Sequence, residues 1–161
     1  MYKSRLENWY KYSSIRNKPR RMIPENAPGY YYPVARQPIS VHPIVMDLGE
    51  SALEYILIQS AYKFMRDIAY VEVELINKIA YKIYANQYPI KFIDEIRLDA
   101  LSIIIDEAFH AYAAIDYMNQ LERKTGVKVI DKSAETELSL SIEKFRRLLP
   151  EELQETFELI A

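Results

Sequence analysis

Only two histidines and no cysteine occur in the 161 residues, so the side chains able to hold a metal ion or move a proton form a short set. One grouping stands out. Ile105-Asp106-Glu107-Ala108-Phe109-His110 contains Glu-x-x-His, and residues three apart lie on one face of a helix, where a carboxylate and an imidazole can grip the same cation. The four-letter pattern is common; its setting is not. The same-face neighbours of Glu107 are Ala100, Ile103, Ile104, Ala111 and Ala114, all apolar. An ionised carboxylate on such a stripe costs several kcal/mol unless a partner offsets it. Glu72 has an equally apolar surround in Met65, Ile68, Ala69, Leu75, Ile76 and Ile79, whereas Glu74 faces Asp67, Tyr70, Asn77, Lys78 and Tyr81. Glu72 is therefore expected to point inward and Glu74 towards water. Measured from a turn at Tyr88, Glu72, Glu107 and His110 lie about 24, 28 and 33 Å along their helices, at about 1.5 Å per residue. The three can meet.

Two carboxylates and one imidazole, with the imidazole in a Glu-x-x-His pair, make half of the ligand set of ferritin-like di-iron carboxylate proteins. Hard oxygen donors with one nitrogen suit iron or manganese; zinc is less expected without thiolates. The competing reading is structural: Glu107–His110 as a satisfied core pair and Glu72 hydrogen-bonded to a tyrosine. Asp106, four residues before His110, either orients an imidazole as an outer acceptor or is a solvated helix residue. Tyr62, Tyr70, Tyr112 and Tyr117 belong to the core or its rim, with a role beside a metal for one of them, Tyr117 in particular, as the sharper alternative. Glu54 is expected to be solvated at a helix start, and His42-Pro43 to serve a loop. A Ser/His/Asp hydrolase is not supported, because His110 sits on a helix among carboxylates, and the three glycines form no phosphate-binding loop.

The elements that must carry these residues are helices. From Asp47 to about Gln87 there is no proline, and apolar residues recur every three or four positions, which predicts one long amphipathic helix. Asn86-Gln87-Tyr88-Pro89 predicts a turn, and a second long helix follows from about Phe92 to Arg123, stopped by Gly126. Together they form an antiparallel αα-hairpin. Ser133 is expected to cap a third helix to about Leu148, and Pro150 to open a fourth. Residues 1–46 differ. They hold six of the eight prolines, Trp9 and six tyrosines, and eight Lys/Arg against two Glu. The expectation is an ordered, mostly extended basic arm, with a short helix near Ser4–Tyr12, packed on an acidic helical domain at 47–161. The fold class is all-α, a ferritin-like helical bundle.

Composition narrows the function further. With 23 acidic and 21 basic side chains, the net charge is −2, unlike the basic excess of a nucleic-acid binder. The lack of cysteine excludes disulfides and thiolate metal sites and agrees with a cytoplasmic location. No apolar run reaches the roughly 18 residues of a membrane span, and no signal peptide is expected from the N-terminus.

The stretch from Tyr70 to Asn77 (YVEVELIN), followed by Asp99 to Ala111 (DALSIIIDEAFHA), resembles the p-aminobenzoate N-oxygenase (AurF-like) di-iron oxygenases. In that family a helix with a Glu ligand a few residues before an Asn is followed by an Asp-Glu-x-x-His helix. The arm with Leu6, Trp9 and Arg16, and the Val41-His42-Pro43 element, are similar to its N-terminal region. The resemblance implies that Glu72, Glu107 and His110 are ligands to one half of a two-iron centre (manganese being the alternative), with dioxygen and a small amine as substrates and a separate electron donor. Family members are longer and supply the other ligands from a second helix pair, which this sequence lacks. The second half is then expected from a longer chain, a C-terminal-half polypeptide or a homodimer. Two alternatives accompany this reading: a ferritin-like ferroxidase homodimer, and a metal-free helical interaction module.

Overall fold

In the computed structural model, which describes residues 2–13, 15, 18–130, 137–151 and 153–154, every regular element is helical. Helix α1 spans Leu6–Tyr12, and two single 3₁₀ turns at Val34–Arg36 and Pro38–Val41 lead into α2, Pro43–Leu48. The chain then forms α3 (Glu50–Tyr70), a π-helical segment (Val71–Ile76) and α4 (Asn77–Tyr84), which run on without a break in right-handed backbone geometry. After the turn comes α5, Asp94–Thr125, and then α6, Glu137–Leu148.

The first long helix differs from its expectation in two places. It starts at Glu50 rather than Asp47, because Gly49 adopts φ 82°, a conformation open to glycine, and separates α2 from α3. It also contains the π segment, which a 3.6-residue periodicity cannot announce. The imidazole of His42 caps α2, its Nδ1 accepting from the Ile44 amide at 3.3 Å. The turn uses Asn86, the one described non-glycine residue with positive φ (53°); its Oδ1 accepts from the Phe92 amide at 2.7 Å. Helix α5 ends two residues later than expected, where Gly126 takes φ 72° and its amide donates to the Glu122 carbonyl. The expected cap at Ser133, Arg16 of the arm, and the chain beyond residue 154 lie outside the described residues; at Pro150 a helical turn does begin, with Leu153 and Gln154 donating to its carbonyl.

Packing follows the alanines. Ala61, Ala80, Ala100, Ala111 and Ala114 are all buried, so the two rods of the hairpin approach closely along its length. The main core lies at the end remote from the turn, where Ile58, Ala61 and Tyr62 of α3 meet Met118 and Leu121 of α5. Ile23, Tyr31 and Tyr32 of the arm and Val127 and Val129 close over it, and the Tyr62 hydroxyl donates to the Val127 carbonyl at 2.8 Å.

The arm runs parallel to α5 and is tied to it by a ladder of polar contacts. Tyr2, Ser4 and the Arg5 amide donate to Asp99. Trp9 Nε1 and Ser13 Oγ donate to the two oxygens of Asp106 at 2.8 and 2.9 Å. Further along, Arg20 pairs with Asp116, the Ile23 amide donates to Gln120, and Lys124 donates to the carbonyls of Pro24 and Glu25. Acids on α5 thus receive a segment that its prolines keep from folding on itself.

Replacing Asp106 by Ala removes the acceptor shared by Trp9 and Ser13. The expected cost is about 1–3 kcal/mol in urea unfolding, with a red shift in the emission of Trp9, the single tryptophan. An unchanged midpoint and spectrum would show that the arm does not depend on this contact.

Candidate metal centre

Helix α5 and the π segment bring together the three residues singled out above. On α5, His110 Nδ1 lies 2.7 Å from Glu107 Oε2, the contact that i, i+3 spacing permits. From the neighbouring rod, Glu72 Oε1 reaches to 3.8 Å from the same nitrogen. One donor atom from each residue lies within 4.8 Å of the other two. Glu72 is the second residue of the π segment, and its own carbonyl accepts the Asn77 amide, an i to i+5 bond. A single π turn inside an α-helix is frequent at functional sites. Here it changes the phase between α3 and α4, and the turn that carries Glu72 is the one altered.

The electrostatics are uncomfortable without a cation. The Glu72 side chain is 16% exposed and that of Glu107 20%, while His110 remains 47% exposed at the surface of the hairpin. Glu72 Oε2 is buried and has no hydrogen-bond partner, so no tyrosine hydroxyl serves it. Burial first, then the adjacent Glu107 carboxyl, push the Glu72 carboxyl up to about 7, with His110 acting weakly in the opposite sense.

These residues could hold a divalent ion. Donors held about 2.1 Å from one octahedral centre stand about 3 Å apart at right angles and about 4.2 Å apart across it. All three donor atoms lie within 4.8 Å of one another, which leaves room for one such ion. Two carboxylates and one imidazole match iron or manganese.

The remaining sequence candidates are distributed differently. Asp106 accepts hydrogen bonds from Trp9 and Ser13 rather than from His110, so it holds the arm. Glu74 points outward and pairs with Lys78, and Glu54 is exposed. Tyr117 is half-buried; its hydroxyl donates to the Tyr31 carbonyl at 3.4 Å, and burial raises its pKa. Tyr117 and His110 share the wall of a cavity of about 440 Å³. Met65 and Ile68 of α3, Phe109 and Ala113 of α5, and Lys18–Arg21 of the arm also line it. The sequence did not assign these residues to a site. Met65 and Ile68 were visible as same-face neighbours of Glu72, but the arm segment could be placed there only through its contacts with α5.

In the metal-free protein the raised Glu72 pKa makes stability depend on pH. The folded state keeps the proton up to about 7, whereas the unfolded chain releases it near 4.5. The contribution of Glu72 to stability is therefore full below 4.5, falls between 4.5 and 7, and is gone above, a loss of about 3 kcal/mol. Urea unfolding in chelator at pH 5 and pH 8 should show the drop, and Glu72→Gln should remove it; an equal drop in the variant would assign the slope to another group. Comparisons with protein-family models, curated proteins and solved structures give no match, so the site rests on its own geometry and on the resemblance drawn from its residues.

Proposed function

We propose that the chain is the metal-binding hairpin of a non-haem di-iron oxygenase that oxidises a small amine with dioxygen. The observation that carries this reading is the convergence of Glu72, Glu107 and His110 from two rods, with a buried Glu72 oxygen that accepts no hydrogen bond from the described residues. Glu72, Glu107 and His110 would hold the metal. Bound iron would supply the electrons for dioxygen reduction.

The rest of the work belongs to the chain. With metal bound, Glu72 and Glu107 would carry two negative charges beside His110 and so favour divalent over monovalent cations. Met65, Ile68, Phe109 and Ala113 give the 440 Å³ space mostly apolar walls, which limit water and suit a small organic molecule. His110 belongs both to the metal group and to the cavity wall, so a substrate there lies next to the redox centre. N-oxygenation as the outcome is supported by the resemblance of the Tyr70–Asn77 and Asp99–Ala111 stretches to the AurF-like oxygenases. A second reading, oxidation of iron itself without an organic substrate, is favoured by the 47% exposure of His110, which leaves the site open to ions from solution.

Anaerobic titration with Fe(II) tests the metal assignment. Wild type should bind iron, and His110→Ala should lose at least tenfold in affinity. Equal iron in both proteins would contradict the assignment. Admitting oxygen then separates the two readings: amine-dependent oxygen uptake with an N-oxidised product supports the oxygenase, and oxygen uptake that tracks iron oxidation alone supports the ferroxidase.

A further inference from the structure

The arm carries a charge that its own contacts leave largely in place. Between Glu7 and Glu25 it holds five basic residues, Lys11, Arg16, Lys18, Arg20 and Arg21, and no acid, on a chain whose net charge is −2. Two acids of α5 are served by neutral donors: Asp99 by Tyr2, Ser4 and the Arg5 amide, and Asp106 by Trp9 and Ser13. Arg20 pairs with Asp116 yet stays 51% exposed, and Lys18 and Arg21 are exposed beside it. The stretch remains positive after Asp106 and Asp116 are counted. This positive edge borders the metal group. Lys18, Arg20 and Arg21 line the cavity that His110 also lines, and the His110 side chain is 47% exposed. Tyr112, stacked on Phe109 in the same wall, is 58% exposed. A molecule resting on this edge would stand one side chain away from an ion held by Glu72, Glu107 and His110.

We infer that an acidic one-electron carrier protein docks on Lys18, Arg20 and Arg21 and reduces the metal by way of His110. The inference rests on the metal reading above and gives the electron donor of that reading a place on the surface. In the step, one electron leaves the reduced carrier and converts a ferric ion to a ferrous one. The carrier is left oxidised, and no bond forms or breaks. Charge selects both the partner and the edge. Outside residues 1–46 the chain has an excess of acids, so an acidic protein is repelled elsewhere and steered to the one basic border of the site. Size agrees as well, because electron carriers dock through small, transient contacts. A nucleic-acid strand needs a basic groove that follows its backbone, and beyond the arm it would meet the acidic remainder of this chain.

The probe is an oxidised plant-type [2Fe–2S] ferredoxin, an acidic carrier, titrated calorimetrically into the iron-loaded chain at low salt and at about 0.3 M NaCl. Binding should weaken at least tenfold at the higher salt. The double variant Lys18→Glu, Arg21→Glu should lose at least tenfold at low salt, while keeping the iron content and helical circular dichroism of wild type. Lys144→Glu, a charge reversal on α6, should bind the ferredoxin as wild type does. When reduced ferredoxin is mixed with the ferric protein, the rate of cluster oxidation should follow the same order. An iron-loaded chain that binds no ferredoxin, or binds it equally in all three proteins, would overturn the docking and leave the metal reading intact. An oligothymidylate bound more tightly than the ferredoxin at the same salt would also overturn it and give the arm to nucleic acid. A chain that takes up no iron would instead overturn the metal reading, and the donor's role with it.

Discussion

A carboxylate held out of water beside a second carboxylate is the constraint on which this molecule turns. Glu72 is mostly buried, one of its oxygens has no partner, and Glu107 stands next to it. Proteins tolerate such an arrangement when a proton or a cation occupies the gap. In the absence of metal the proton serves, which is why the Glu72 carboxyl titrates near neutrality. On the proposed metal reading, a divalent cation and this proton would compete for one place.

The rest of the fold can be understood as the support for that place. Alanines let the two rods approach, so that donors on different helices come within bonding range of one ion. The main core, around Tyr62 and Leu121, lies away from the donors and holds the hairpin without demanding that the metal end be fully covered. The π segment is the local irregularity that this design contains, and it falls on the turn that carries Glu72. The basic arm is fixed by Asp99, Asp106 and Asp116 on α5, and its Lys18–Arg21 stretch walls the cavity beside His110. An acid that a motif reading links to histidine thus serves the arm, and the arm serves the cavity.

How much of this was legible in the residues depended on the range of the interaction. The inward direction of Glu72 and the outward direction of Glu74 followed from their neighbours three and four residues away, and the hairpin from Asn86–Pro89 between two apolar periodicities. Glu107 and His110 met because i, i+3 contact is intrinsic to a helix. Three features were not legible. Gly49 could have been read as a break, but a lone glycine at a helix start is ambiguous. The π turn arises in Val71–Ile76, where no glycine or proline marks it. The partners of Asp106 lie more than ninety residues away in the chain, and no local pattern reports a contact of that separation.

The central claim is that one cation is gripped by side chains from both rods. Anomalous diffraction from crystals grown with manganese, recorded at the manganese edge, measures this directly. The account predicts a peak between Glu72, Glu107 and His110, within coordination distance of all three. Manganese bound only at other residues, with no peak beside Glu72 and Glu107, would contradict it.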